Sequence, residues 1–354
     1  MSTPRKTAAK PGGATGKQPA ARKAAPSQGD AARPAGGAAG KGAAAKGAGK
    51  GTARKGAPLP PGPELVVGTV PPLARVGGGV AVVAAVLLLI APAFPLARLG
   101  DTDLGGPGNL WAFVPALPLV ALVAAAGALA ATGRLPRLGL AVLFPAGTLA
   151  AGLLLQTVAL LRTGSHSTLD LPLGIGTSAR YEAGPGLVAH AVGYGLLVLA
   201  AVLAAAAWPR TIMEDGGDLD PRRPRLAAWG LAIGVLTALV LGMAPYSSQI
   251  APGAPTLPER HGLDLLGGLV LTLGAAAWAV LAATLRPRLA VVGGYAGLAA
   301  ALLTLGLANA LLVARSDALG ASAGGVGTLL AAVAVGALAL VSARIGRLAA
   351  AKTS

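Results

Sequence analysis

The chain of 354 residues contains no cysteine. Structural disulfides, thiol catalysis and cysteine-ligated zinc or iron–sulfur clusters are therefore excluded for it. Charged residues are also scarce, at 12%, whereas apolar residues make up 54%. This composition lies outside the range of ordinary soluble domains and predicts an integral membrane protein in contact with the lipid bilayer. The abundance of alanine, glycine, leucine and valine is typical of a high-GC bacterial genome.

Acidic residues are missing from the interior of the long apolar runs. Two of the thirteen, Asp30 and Glu64, precede the first run, and the others fall in connections between runs or at their edges. Ion-coupled transporters usually keep a carboxylate at membrane depth, because moving charge requires an ionisable relay. The sequence therefore disfavours ion-coupled transport, for which His190 or half-helix carbonyls would have to serve instead.

The first 63 residues form a basic, low-complexity tail. They hold eight lysines, four arginines and one aspartate, a net charge of +11, and no valine, isoleucine or leucine precedes Leu59. Such a segment cannot bury enough apolar surface to offset its chain entropy, so residues 1–63 are predicted to be disordered.

Three interpretations of this tail remain open. It can be a solvated cytoplasmic extension that helps to fix the topology, or it can be attracted to anionic lipid of the inner leaflet. It can also capture an acidic protein or DNA, since its Lys/Ala composition resembles that of DNA-binding tails. The resemblance is one of composition alone, and nucleic acid is the least favoured of these partners.

From Val76 onward the chain alternates apolar runs of about 20 residues with short polar or Gly/Pro-rich breaks. At a rise of about 1.5 Å per residue, such runs cross a hydrocarbon core of roughly 30 Å. The fold class is therefore an all-α integral membrane protein with eight transmembrane helices. The predicted spans are 77–98, 112–132, 139–161, 187–208, 226–248, 264–284, 289–313 and 325–343.

The basic residues between these spans predict the orientation. Alternate connections together with the C-terminus carry eleven arginines and lysines, whereas the remaining connections carry five. The positive-inside rule places the first group in the cytoplasm. The prediction is a plasma-membrane protein with both termini cytoplasmic.

Two stretches of the chain can be aligned, residues 131–162 and 283–315. Each begins with a short arginine–proline hairpin and ends with an amide six residues before an arginine, Gln156 before Arg162 and Asn309 before Arg315. The offset predicts two parallel four-helix units at 64–208 and 225–354, joined by a cytoplasmic linker at 209–224. Similarity by chance among Ala/Leu/Gly-rich helices is the alternative explanation.

A few polar side chains interrupt the spans at similar depth below their predicted outer ends. His190, Gln156, Asn309 and Tyr194 could form one polar layer if their helices pack together. One interpretation is that each side chain hydrogen-bonds a neighbouring helix. The other is a polar vestibule that binds a ligand or a lipid headgroup.

The predicted outer loops contain the remaining candidates for chemistry. His166 with Asp170, and His261 with Asp264, could supply a base with its orienting carboxylate or ligands to an external metal. No catalytic motif accompanies them, so solvated loop charges are the favoured interpretation. No catalytic residue, metal site or cofactor is predicted.

Three functions stay open at this point. The favoured one is a non-enzymatic scaffold or accessory subunit of the membrane, because carboxylates within the spans and catalytic motifs are lacking and the tail is long and basic. The alternative is a permease or flippase for a neutral or lipidic substrate, suggested by the duplication and the polar layer. The weakest is an outer-face enzyme that acts on lipid-linked substrates.

Overall fold

The protein is an all-α integral membrane protein, and the part of the chain that the structure describes contains eight helices long and apolar enough to cross a bilayer. The computed structural model describes residues 70–99, 102–106, 110–162, 181–211, 219–248, 262–316 and 319–353. Residues from Leu65 onward form one compact unit. The tail at 1–63 and the loop positions His166, Asp170 and His261 lie outside the described residues.

The eight helices follow one another in an up-and-down order. Each first turn of α1, α2, α3, α4 and α5 contains a proline, which tolerates the first turn because its missing N–H has no intrahelical acceptor there. The bounds are α1 Pro72–Ile90, α2 Leu117–Thr132, α3 Pro136–Arg162, α4 Pro185–Ala207, α5 Arg223–Gly242, α6 Leu263–Leu281, α7 Arg288–Ala314 and α8 Ala323–Thr353.

Two predicted spans extended too far at their C-terminal ends. The prediction for 77–98 was wrong beyond Ala93, and the prediction for 226–248 was wrong beyond Gly242. In both segments the chain leaves the helix and continues into a short strand. An Ala-Pro pair stands at each point, Ala91-Pro92 and Ala244-Pro245. Proline cannot donate the next helical hydrogen bond, so the residues that follow leave the helix and adopt extended conformations.

Five short strands mark one end of the bundle, here named the strand end. Strands β1 (Pro95–Leu99), β2 (Thr102–Gly105) and β3 (Tyr181–Ala183) form an antiparallel sheet in the order β2-β1-β3. Strand β4 (Tyr246–Ser248) pairs with β5 (Leu319–Ala321). In both cases the strand after a helix pairs with the strand that leads into the helix three positions later.

Helices α3 and α7 lie at the centre and pack against one another. Around α3, helix α1 packs against α2 and α4, and α3 packs against α2 and α4. Around α7, helix α5 packs against α6 and α8, and α7 packs against α6 and α8. Across the centre, α3 contacts α6 and α7 contacts α2. The four main packing pairs among α1–α4 therefore have counterparts among α5–α8, whereas the smaller contact of α1 with α3 has none of similar extent between α5 and α7.

Glycines allow the helix backbones to approach closely at these crossings. A Cβ atom at Gly78 of α1 would lie 2.5 Å from the carbonyl oxygen of Gly127 in α2, and one at Gly127 would lie 2.7 Å from that of Gly78. Gly293 and Gly297 of α7 face backbone carbonyls of α3 in the same way. Small residues at crossings are how helices associate in lipid, where no hydrophobic force acts between them.

A buried guanidinium holds the opposite end together, here named the arginine end. Arg137 at the start of α3 is only 6% exposed. Its Nε and Nη2 atoms donate to the hydroxyl and the carbonyl oxygen of Thr211, at 3.1 and 2.8 Å, and Nη1 donates to the carbonyl of Arg286, at 2.8 Å. The guanidinium also lies 4.9 Å from the ring centre of Trp208. Arg137 thus joins α3, the end of α4 and the α6–α7 hairpin.

The second span changes its helix type within the membrane. Residues Leu110–Ala116 form a 3₁₀ segment, and the α-helix α2 begins only at Leu117. The Leu119 N–H in the first turn of α2 donates to the Thr304 hydroxyl of α7 at 3.3 Å. A side chain of α7 thus bonds the backbone at the start of α2.

Candidate functional site

A small cavity lies between α3 and the four helices α5–α8, near the strand end. Its volume is about 160 Å³. Both amides that the sequence singles out in α3 and α7 line it, so it is named the amide cavity. Its lining residues are Gln156, Val240, Leu241, Met243, Pro245, Gly268, Leu271, Thr272, Leu305, Asn309, Gly324 and Thr328.

The polar groups of this cavity are neutral. Gln156 and Asn309 supply two carboxamides, and Thr272 and Thr328 supply two hydroxyls. The Thr328 hydroxyl donates to the Gly324 carbonyl at 2.7 Å. Among the residues that the structure describes, no group hydrogen-bonds to the side chains of Gln156, Asn309 or Thr272.

The helix crossing between α3 and α6 places Gln156 at the cavity. A Cβ atom at Gly267 would lie 2.6 Å from the Gly152 carbonyl oxygen and 2.7 Å from Cγ of Gln156. Because Gly267 has no side chain, α6 touches α3 one turn below Gln156, and the long amide side chain lies against the α6 backbone. Asn309 reaches the same cavity from α7, about 8 Å inside its helix end at 1.5 Å per residue.

The side chains of Gln156 and Asn309 are partly exposed, and among the described residues neither has a fully buried atom that lacks a partner. An amide buried without a hydrogen bond would cost on the order of 1–3 kcal/mol, so a group that displaced water here would have to replace its hydrogen bonds. A polar space of this size is wide enough for several waters or one small polar group. The amide cavity is therefore suited to a neutral ligand that both donates and accepts hydrogen bonds.

The other two members of the predicted polar layer lie elsewhere. His190 and Tyr194 are in α4, which packs against α1 and α3, and neither residue lines the amide cavity. The His190 Nδ1 lies 2.9 Å from the Gly186 carbonyl oxygen of its own helix. The rings of His190 and Tyr194 contact one another, with centres 5.9 Å apart. The structure brings together Gln156 and Asn309, but it places His190 and Tyr194 outside the cavity that they share.

Comparison with known proteins adds nothing to these contacts. No family model, no curated protein and no solved structure matches the chain. The chemistry of the amide cavity is therefore inferred from its own residues.

Helices α4 and α8 show why the cavity lies on one side. Each has a glycine as its second residue, Gly186 and Gly324, and a Cβ there would meet backbone carbonyls at the end of α1 or α5. Four residues later stand His190 and Thr328, and each contacts the carbonyl of its own glycine. His190 thus takes the position in α4 that the smaller Thr328 takes in α8 beside the cavity.

The loop candidates are only partly described. Of the four, Asp264 lies within the described residues, where it is the second residue of α6 and not a residue of the loop. His166, Asp170 and His261 lie outside them. Within the described ranges, no group of three or more histidine, aspartate or glutamate side chains could hold a metal ion.

Thr272 and Thr328 are the site residues that sequence reasoning missed. Both are single hydroxyls within long apolar runs, and that was the available signal. Threonine hydroxyls in helices usually bond to the carbonyl four residues earlier, as Thr148, Thr157 and Thr237 do here. Because of this common hydrogen bond, a threonine in a membrane helix is usually interpreted as structural when only the sequence is known.

Proposed function

We propose that the chain is a permease or flippase for a neutral or lipidic substrate. The observation that supports this function is the amide cavity, which Gln156 of α3 and Asn309 of α7 both line, and where neither side chain has a hydrogen-bond partner among the described residues. A protein that only holds others together has no need to keep two carboxamides unpaired within the membrane. A transporter does, because those groups replace the hydration shell of a polar substrate.

The packing below the cavity fits a state that is open toward the strand end. Gly293 and Gly297 seal α7 against α3 further along the bundle, and Arg137 ties the helices at the arginine end. Alternating access would require these contacts to loosen while the amides keep the substrate. The neutral lining selects for uncharged hydrogen-bonding groups, since a bare charge would lose its hydration without compensation.

The cavity is tested by removing its amides. We expect Gln156→Leu and Asn309→Leu each to lower transport at least tenfold while the folded protein keeps its thermal stability, because leucine is similar in volume and removes an unpaired polar group. The measurement is dithionite quenching of NBD-labelled monoglucosyl diacylglycerol in proteoliposomes, beside uptake of radiolabelled glycerol. Leu160→Ala, on the lipid-exposed side of α3, is the matched control. Unchanged rates in both leucine variants would reject transport through this cavity.

A scaffold or accessory subunit is the second candidate function. The net charge of +11 in residues 1–63 favours it, because such a tail can attract anionic inner-leaflet lipid or an acidic protein. Affinity purification from native membranes, with and without residues 1–63, separates the two candidates. Partners that depend on the tail support the scaffold, whereas transport that persists without the tail supports the permease.

We further propose that the chain lies in the plasma membrane of a high-GC bacterium with both termini in the cytoplasm. The arginine end is then cytoplasmic and the strand end faces outward. The absence of native cysteine allows a labelling test without background. Glu182→Cys at the strand end should react with a membrane-impermeant maleimide in intact cells, and Arg134→Cys should react only after permeabilisation. Both side chains are exposed. The reverse pattern would invert the topology.

The matching contacts of α1–α4 and α5–α8 support a third proposal, that the membrane region arose by duplication. Its units are 64–208 and 225–354, with 209–224 as the linker. The equivalent glycines of α4 and α8 and the matched strand pairs favour this origin over shared composition, since composition alone does not reproduce a packing order.

A further inference from the structure

A second space lies beside the amide cavity, between the strand-end halves of α7 and α8. This α7–α8 cleft also has a volume of about 160 Å³. It shares Pro245 and Asn309 with the amide cavity, so these two residues border both spaces. Its remaining lining residues are Ala310, Val313, Ala321, Ser322, Gly325, Val326 and Leu329.

The α7–α8 cleft differs from the amide cavity in chemistry and in access. Apart from Asn309 and Ser322, its lining is apolar. Ala310 is exposed and Val326 is 49% exposed, so the cleft reaches the outer surface of the helix bundle. Ala310 lies four residues before the end of α7, about 6 Å inside it, which places the mouth of the cleft against lipid chains.

The start of α8 lines both the amide cavity and the α7–α8 cleft. The Ser322 hydroxyl donates to the Ala244 carbonyl at 2.7 Å and accepts from the Gly325 N–H at 3.1 Å. The Ser322 hydroxyl thus donates its only hydrogen to the chain at the end of α5 and holds the start of α8 there. Asn309 is the polar side chain that lines both spaces.

We infer that the two spaces form one site for an amphiphile that enters sideways from the leaflet at the strand end. The uncharged, hydroxyl-bearing headgroup occupies the amide cavity, where it exchanges hydrogen bonds with Gln156, Asn309 and Thr272. The acyl chain leaves through the α7–α8 cleft past Ala310 and Val326. This inference rests on the proposed function, for which it names the substrate class.

The linings exclude a charged headgroup as the preferred ligand. No arginine, lysine, aspartate or glutamate lines either space among the described residues. A phosphate or an ammonium group would lose its hydration here without a counter-charge. A glycerol or sugar headgroup carries the donors and acceptors that two carboxamides and a free hydroxyl can satisfy. A free polyol could make the same hydrogen bonds in the amide cavity without an acyl chain in the cleft. The test is therefore whether binding depends on an open cleft.

Blocking the mouth of the cleft separates a lipid from a free polyol. The probe is a diazirine-bearing monoglucosyl diacylglycerol in liposomes of phosphatidylethanolamine and phosphatidylglycerol, cross-linked to the full chain and mapped by mass spectrometry. We expect adducts within 305–329, displaced by unlabelled neutral glycolipid and not by extra phosphatidylglycerol. Ala310→Trp and Val326→Trp should each reduce the adducts at least tenfold, while Leu312→Trp, on the exposed side of the same helix, keeps them within twofold.

The outcomes separate this inference from the proposed function. Equal cross-linking in Ala310→Trp and Leu312→Trp overturns lateral entry. A third result would be the absence of lipid adducts, with glycerol uptake lost in Asn309→Leu but retained in Ala310→Trp. It would support a permease for a free polyol and overturn the lipid substrate. If adducts depend on the cleft but no lipid is flipped, the lipid-binding site is supported and the proposed transport function is rejected.

Discussion

Replacing Gly78 by valine should prevent α1 from packing against α2, whereas the same replacement at Gly79 should leave the fold intact. Even a single Cβ at Gly78 would lie 2.5 Å from the Gly127 carbonyl oxygen and 2.7 Å from the Ala131 nitrogen. Both are backbone atoms of a neighbouring helix, which cannot rotate away as a side chain can. At Gly79 nothing lies within 4 Å of the added atom.

The adjacent positions make the comparison clean. Both replacements put the same residue into the same helix, so the change in helix propensity and the gain in hydropathy are equal. We expect Gly78→Val to lose about 3 kcal/mol or more in the free energy of unfolding, beyond ordinary overpacking because backbone must move. Gly79→Val should change it by less than about 0.5 kcal/mol. Yield of monodisperse protein in mild detergent and its melting temperature provide the readout, and equal losses in both variants would contradict the close crossing.

Removing the Arg137 guanidinium should produce the second large loss of stability. In Arg137→Ala, the carbonyl oxygens of Thr211 and Arg286 lose their buried donors at once, and the Trp208 ring loses the cation above it. Breaking such a buried network costs roughly 3–5 kcal/mol. Since the contacts join α3 to the end of α4 and to the α6–α7 hairpin, separation of the two helix sets should begin there.

Two further variants distinguish this network from a simple need for charge. Arg137→Lys should recover less than half of the lost stability, because one ammonium group cannot reach Thr211 and Arg286 in the fork geometry of a guanidinium. Arg134→Ala removes an exposed arginine of the same hairpin and should stay within about 0.5 kcal/mol of the native chain. Thermal unfolding followed by tryptophan fluorescence provides the readout, in which Trp208 beside the guanidinium is one of four tryptophans that contribute. Full rescue by lysine would show that charge alone matters.

The eight spans could be predicted because lipid imposes one length and one composition on every crossing helix. The end of the first span could not be read from hydropathy, since Phe94 is as apolar as the helix before it. At the fifth span the polar Ser247 and Ser248 come only after the helix has already ended at Gly242. Only the Ala-Pro pairs mark where helical hydrogen bonding stops. The short strands at 95–99 and 246–248 follow from that backbone chemistry and not from any apolar pattern.

The sequence predicts how deep each candidate residue lies along its helix, but not which way the helix face that carries it points. Equal spacing from the flanking arginines placed Gln156 and Asn309 at one level, and the structure brings them to one cavity. The same reasoning placed His190 at that level, yet α4 packs on the other side of α3. In lipid the outer face of a helix is as apolar as its inner face, so the sequence carries little information about which way a polar residue points.

Thr328 in α8 and His190 in α4 stand at matching positions but differ in size and chemistry. Helices α1–α4 and α5–α8 are therefore not equivalent at this position. A chain built on a two-fold plan can carry two equivalent sites and respond cooperatively. Here the imidazole of His190 contacts the Tyr194 ring, and the cavity that both amides line lies on the side of α5–α8. For a cavity that the other helices do not repeat, we expect one ligand per chain and a hyperbolic binding isotherm.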